Sequence, residues 1–364
     1  MEHSKKTQQF FLYLLLSSVF LSVILVSACG DQESAKKSAT KSKEPPVARD
    51  YTKDKELYEK TMHARLLLDT YFGDGNNFVE ASRLIKEVLN ADDKYVPAYI
   101  EMSKITLMNA CNYDCSTKSK IYDSIENTLQ EAIKMDPAYA DTYVLLGHVY
   151  ALKDNSVMAD YYLDKAERMG SKNPWIYINR AEVPFNHREY DMANEMYEKV
   201  AQLGPGDTSH QRSAYIYALQ QQQVIAYQRS QSDRLLELAK KTVAATDPKD
   251  AWTWGNTASN LCREGFFDEG IEYTKKALSI MQYGRAYGYL SFCYYGKWAE
   301  LTAAGQPEVA ETYFKQAFDL DPEVEKIAKD FAGCGQKLRD LKPTLDKKIE
   351  EIISTDYKGP YTRM

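Results

Sequence analysis

Residues Glu131–Tyr150, EAIKMDPAYADTYVLLGHVY, decide how this chain folds. An apolar, helix-forming segment runs into Asp136-Pro137, where proline lacks a backbone donor and stops helix continuation. Beyond it Tyr143, Leu146, Gly147 and Tyr150 recur at steps of three and four, the spacing of one helix face. The same punctuation returns along the chain. A small or apolar residue stands five positions before a proline in Ala132/Pro137, Val200/Pro205, Val243/Pro248 and Ala317/Pro322. Ala159, Leu163 and Ala166 come back 34 residues later as Ala193, Tyr197 and Val200. Gly265, Phe267, Gly270 and Ala277 keep these offsets, as do Ala310, Phe314 and Ala317. A fixed period of this length means an array of hairpins, because one hairpin alone cannot bury its apolar face.

These residues resemble the tetratricopeptide repeat, W-x2-L-G-x2-Y followed by A-x3-F-x2-A and P. The resemblance covers about residues 52 to 322. Its best copies are 140–173, 174–207, 251–284 and the second half of 285–324. Weaker copies at 52–95, 96–139 and 208–250 depart from the pattern, and insertions are expected between the two helices of the second, fifth and seventh repeats. The resemblance implies an all-α fold in which helix-turn-helix units stack into a right-handed superhelix. About seven repeats occupy 51–324, and C-terminal capping helices with a tail occupy 325–364. Gly147, Ala181 and Ala258 would let paired helices close, with Ala159 and Ala193 doing the same from the second helix. Tyr190 and Phe267 would fill the wedge above the turn. In the cap, Ile327, Phe331, Cys334, Leu338 and Leu341 form one apolar stripe, and Pro343 is expected to kink or end that helix.

The N-terminus carries a separate message. Residues 1–9 hold Lys5, Lys6 and one acid, Glu2, and Phe10–Ala28 then runs without a charge. A positive start, an apolar core and small residues before a break read as a secretory signal. Val26-Ser27-Ala28-Cys29 resembles the lipobox of bacterial lipoproteins. That likeness implies a signal peptide at 1–28, a covalent lipid on Cys29 and a polar tether over 29–50. Two or more acyl chains make anchoring stable. An uncleaved membrane span is the competing reading, since about 20 apolar residues can cross a bilayer. Gly30, where an Asp would suggest inner-membrane retention, favours the outer membrane with the body facing the periplasm.

Of 46 basic and 52 acidic side chains, removal of 1–28 takes Lys5, Lys6 and Glu2 and leaves a net charge of −7. That balance argues against nucleic acid as a partner. Cys111 and Cys115 lie near enough in sequence to bridge, with two free thiols as the alternative. Cys262 and Cys293 would fall on neighbouring repeats, where a second bridge could form. No zinc spacing, HExxH, GxSxG, Walker A loop or GxGxxG is present, so no metal, no cofactor beyond the lipid and no enzymatic activity are expected.

Binding is the expected work. In tetratricopeptide proteins, set positions of the first helix line a concave groove. Carried onto this chain they select Asp141, His148, Trp175, Glu182, Phe185, Arg212, Trp252, Ser259 and Cys262, with Arg263 beside them. Such a groove suits an extended peptide or a partner helix from another envelope protein. The resemblance thus implies a membrane-anchored scaffold or adaptor. A periplasmic small-ligand or glycan binder is the alternative, and an enzyme with an unrecognised site is a weaker one. Gln220–Gln223 reads as exposed helix surface. In YGRAYGYLSFCYYGKW, Tyr283–Trp298, aromatic residues occupy two opposite helix faces, which must meet a neighbour, the cap or a ligand.

Overall fold

In a computed structural model, residues 47, 49–72, 75–109, 118–354 and 361 are described, all within one unit, Pro45–Met364. After a 3-10 turn at Tyr51–Lys53 come sixteen α-helices, and no strand occurs among the described residues. They pair in order. The hairpins are α1 (Lys55–Asp69) with α2 (Gly75–Ala91), α3 (Val96–Asn109) with α4 (Lys118–Met135), α5 (Ala140–Leu152) with α6 (Ser156–Arg168) and α7 (Trp175–Asn186) with α8 (Tyr190–Leu203). Then come α9 (Ser209–Gln228) with α10 (Ser232–Ala245), α11 (Ala251–Glu264) with α12 (Phe267–Ile280) and α13 (Gly284–Ala303) with α14 (Pro307–Leu320). A final pair, α15 (Val324–Ala332) and α16 (Gln336–Ile353), packs on the end.

The two helices of a hairpin differ for a physical reason. In the inner hairpins the first helix lies between its own partner and the adjoining hairpins, so α5 is buried continuously from Thr142 to Gly147. The second helix in these hairpins has one buried stripe and a wet back: Ala159, Leu163 and Ala166 in α6, Ala193, Tyr197 and Val200 in α8. Helix starts are capped by Asp54, Asn155 and Asp250, and Thr208 with Gln211 forms a full capping box on α9. Tyrosine hydroxyls tie first helices to boundary carbonyls, as in Tyr143 to Pro137 (2.9 Å) and Tyr295 to Asp321 (2.7 Å).

The slots expected to need small residues hold them. Ala181, Ala193 and Ala258 are fully buried, and a Cβ on Gly147 would lie 2.6 Å from Leu163 Cδ2. Phe267 is buried above its turn, while Tyr190 packs on Phe185 with ring centroids 5.9 Å apart.

Several expectations need correction. The extra residues of the fifth and seventh repeats do not swell the turns. α9 and α13 are each 20 residues long, against 12 to 14 in α5, α7 and α11, so the insertions become added helical turns. Backbone polar groups are satisfied more fully within a helix than in a long loop. In the cap, the break falls at Gly333–Gly335 and not at Pro343, which sits inside α16. The turn is held because Gly335 N–H donates to the Arg263 carbonyl at 2.9 Å, and a Cβ there would meet Glu264 Oε2 at 2.5 Å. Gln222 and Gln223 are buried, not exposed. Gln223 donates to Thr242 Oγ1 (2.7 Å) and accepts from Asn260 (3.3 Å), while Gln222 donates to Asn194 (3.2 Å), so the run links α9 to α8, α10 and α11.

Both aromatic faces of α13 are mostly consumed by packing. Tyr295 and Trp298 meet Phe314 at 5.4 and 5.1 Å, and Phe292 meets Phe331 of the cap at 5.1 Å. Cys262 and Cys293 form a disulfide joining α11 to α13, with Cα atoms 5.3 Å apart. Gly270 makes this possible, since a Cβ there would lie 2.0 Å from Cys262 Sγ. Cys262 is therefore removed from the groove-lining set: it is fully buried in the bridge. Cys29, Cys111 and Cys115 lie outside the described residues.

Candidate functional site

Asp69, the last residue of α1, meets the start of α9 across 140 residues of chain. Ser209 Oγ donates to Asp69 Oδ2 at 3.2 Å, and His210 Nδ1 lies 3.4 Å from Asp69 Oδ1. A carboxylate at the N-terminus of α9 also complements the positive end of that helix. Burial alone would raise the Asp69 pKa, but His210, Lys104 and Arg65 outweigh it and hold the carboxyl below its usual range. Beside this contact lies a half-open chamber of about 330 Å3 lined from α1, α3, α5, α7 and α9.

The chamber has an apolar wall of Leu68, Ile100, Leu107, Val144, Leu145 and Trp175. Its polar groups are Asp69, Lys104, Asp141, His148, Asn173 and Asn179, with His210 and Ser213 from α9. Behind it Glu101, fully buried, accepts from Arg65 Nε at 2.7 Å and pairs with Lys104 Nζ at 3.1 Å. Arg65 reaches on to Asp141 Oδ2 at 3.8 Å, and Asn173 donates to Asp141 Oδ1 at 3.1 Å. Asn179, 3% exposed, donates to the Val144 carbonyl (3.2 Å), and its side chain also meets the His148 ring. Burial pushes the His148 pKa down to about 4, opposed in part by the nearby Asn179 amide, so the ring is neutral near pH 7.

The sequence-selected residues are thus dispersed over several surroundings. Asp141, His148 and Trp175 line the chamber. Trp175 also bolts α7 to α9: its indole N–H donates to the His210 carbonyl (3.3 Å), and its ring lies 5.9 and 5.8 Å from those of His210 and Tyr217. Arg212 lines a neighbouring cleft of about 230 Å3 together with Asp69, Trp175 and Asp250. Burial raises the Asp250 pKa against its bonds from Thr253.

Glu182 and Phe185 are spent on packing. Glu182 accepts from Tyr217 at 3.4 Å, its pKa raised by burial, and Phe185 sits between Tyr190 and Tyr197. Trp252 and Ser259 are half-buried on α11. Trp252 packs on Tyr283, ring centroids 4.7 Å apart and tilted by 34°, with the Arg285 guanidinium 5.8 Å from its ring. Arg263 is exposed where the cap turn docks on α11.

Sequence reasoning missed Asp69, Glu101, Asn179 and His210. Asp69 and His210 have no periodic signal, because they sit at helix ends. Glu101 and Asn179 occupy ordinary helix positions whose burial is set by neighbours. Among the described residues no group of three or more His, Cys, Asp or Glu side chains could hold a metal ion. No described helix is long and apolar enough to cross a membrane.

No family model matches the chain, and no curated protein matches it. Among solved structures it is similar to a chain of the APC/C hetero-tetramer Cut9–Hcn1, at 12% identity and a TM-score of 0.48 over 78% of this chain and 48% of that one. It is also similar to yeast Tom70 (17%, TM-score 0.46, 84% and 70% covered). A tetratricopeptide repeat protein from Parabacteroides merdae shows 12% identity and a TM-score of 0.36, with 79% and 98% covered. The chain spans about half the length of the first of these. Its own hairpins, with small residues at the crossings and aromatic residues at the wedges, make it an all-helical array of tetratricopeptide type.

Proposed function

We propose that this chain is a non-catalytic scaffold lipoprotein of the bacterial cell envelope, anchored by lipid on Cys29 and docking a partner protein on α11 and α13. The observation that carries the docking surface is the half-exposed Trp252, backed by Tyr283 and flanked by exposed Arg285 and Tyr287. Asn256 and Tyr289 continue the strip, their polar atoms 3.4 Å apart. Rigid aromatic rings beside an arginine suit a peptide or helix with apolar and acidic side chains. The Cys262–Cys293 bridge supports an oxidising compartment such as the periplasm, where structural disulfides persist. Gly30 favours anchoring in the outer membrane, with the body facing the periplasm.

A photo-crosslinking residue at Asn256, with another at the exposed Val157 of α6 as control, tests the docking surface in intact cells. A discrete adduct at 256 that is absent at 157 and lost on Trp252→Ala is expected. Adducts at 157 alone would remove the assignment. Radioactive palmitate incorporated by the wild type and not by Cys29→Ala would support the anchor.

A further inference from the structure

We infer that Arg49–Tyr51 form a strap that carries tension from the chain upstream into the second and third hairpins, so that a pull on the N-terminal side does not peel away the first. The strap is argued from the fold alone. That a lipid-anchored tether supplies the pull rests on the function proposed above.

The need follows from the architecture. A hairpin array is stabilised mainly between neighbours, and its terminal repeat has a neighbour on one side only. Local opening is therefore easiest at an end. Here α1 and α2 are such an end, and tension arriving along the backbone would meet α1 before any other helix. Chain ends stay in place only where something ties them down.

The tie is made by two residues. The Arg49 backbone N–H donates to Asp136 Oδ2 at 3.1 Å, and its Nη2 donates to Asp92 Oδ2 at 2.7 Å. The Tyr51 hydroxyl donates to the same Asp136 oxygen at 2.9 Å, and the Tyr51 carbonyl accepts from the Tyr95 hydroxyl at 3.1 Å. The Tyr51 ring stands edge-on to those of Tyr95 and Tyr139, with centroids 5.0 and 5.4 Å apart. The Arg49 guanidinium lies 5.1 Å from the centre of the Tyr51 ring. Tyr51 and Asp136 are 5% and 6% exposed, so the segment is built into the body and does not merely rest on it.

The positions of these partners decide the route. Asp92 and Tyr95 lie in the turn between α2 and α3, and Asp136 and Tyr139 in the turn between α4 and α5. The strap thus reaches past the hairpin that follows it in sequence and holds the next two. Asp136 is itself fixed to its turn, since its Oδ1 accepts from the Ala138 N–H at 3.0 Å. Bonds to both turns share the pull, and those to the two carboxylates are of the stronger, charge-assisted kind.

The test is single-molecule stretching of the mature chain at constant force. One handle is an azide-bearing residue at the exposed Val157 of α6, which leaves only the first three hairpins in the path. The other stands ahead of the strap, at the exposed Val47, or behind it, at the exposed Lys55. Release of the first hairpin, recognised by its length step, should take at least about tenfold longer from Val47 than from Lys55, the factor that one hydrogen bond to a charged group supplies. Arg49→Ala combined with Tyr51→Phe should abolish the difference by shortening the Val47 lifetime. Equal lifetimes in the wild type overturn the inference, and so does a difference that survives in the double variant. If that variant does not fold, the wild-type pair of handles decides alone. No lipid enters the measurement, so failed palmitate labelling would remove the source of tension and leave the strap. Equal lifetimes would remove the strap and leave the anchor.

Discussion

The first five hairpins and the last two with their cap use one repeat grammar and hold themselves together by different means. In the N-terminal region the ends of α1 and α9 meet through Asp69, Ser209 and His210, and the buried cluster of Glu101, Arg65 and Lys104 stands behind the chamber beside that contact. In the C-terminal region a disulfide bridges α11 and α13, and an aromatic core around Phe314 and Phe331 joins α13, α14 and the cap. The first arrangement leaves a half-open pocket with charged and polar side chains on its wall. The second fills space and presents Trp252, Arg285 and Tyr287 outward. A hairpin array therefore takes local character from the residues between and beyond its repeat positions.

Removing the disulfide should have the largest effect and should separate the two regions. Cys262→Ser with Cys293→Ser, or reduction of the wild type, opens a loop with a sequence separation of 31 and is expected to cost about 3–4 kcal/mol in a chain-entropy estimate. Because repeats couple mainly to neighbours, amide exchange should accelerate in α11–α14 and stay slow in α3–α7. Uniform acceleration would show that the two regions act as one cooperative unit.

Glu101→Ala probes the other side. It leaves Arg65 and Lys104 without their buried partner, and their side chains keep 18% and 21% exposure. A loss of about 3 kcal/mol is expected, the lower end for a broken buried pair, read from denaturant unfolding. Asp69→Ala should cost about 1.5–3 kcal/mol, since charged hydrogen bonds to Ser209 and His210 disappear. Its sharper readout is faster exchange confined to the C-terminus of α1 and the N-terminus of α9.

Acid should loosen the chamber before the cap. His148 binds a proton at about pH 4 when folded and near pH 6.5 when unfolded, so between those values the unfolded chain holds more protons. Its contribution to stability is complete above about pH 6.5 and falls away as the pH drops toward 4. Asp69, Asp141, Lys104 and His210 share the chamber and Asn179 adjoins the ring, so the control is His148→Phe, whose melting temperature should decline less over that window. At the small end, Tyr287→Ala on the exposed face of α13 should shift stability by no more than about 0.5 kcal/mol. It should nevertheless weaken any partner bound at Trp252.

Much of the architecture was legible. Small residues at Gly147, Ala181 and Ala258 and prolines at hairpin boundaries carry a period that only stacked helix pairs satisfy. The site was much less so. Positional rules selected Asp141, His148 and Trp175, which do line the chamber, but also Glu182 and Phe185, which packing consumes. Gln222 and Gln223 look like surface in composition and are core in place. The cap stripe was visible, yet its break followed Gly335 meeting the Arg263 carbonyl and not Pro343.

The residue order by itself determined that the chain forms paired helices at a 34-residue period, because steric slots and helix stops are local properties of side chains. Only the tertiary structure decided that α1 and α9 meet, that Asn179 and His148 come together beside one pocket, and that Cys262 finds Cys293. Those outcomes depend on the small rotation accumulated from one hairpin to the next. That rotation is set by packing across many interfaces at once, and no single stretch of sequence encodes it.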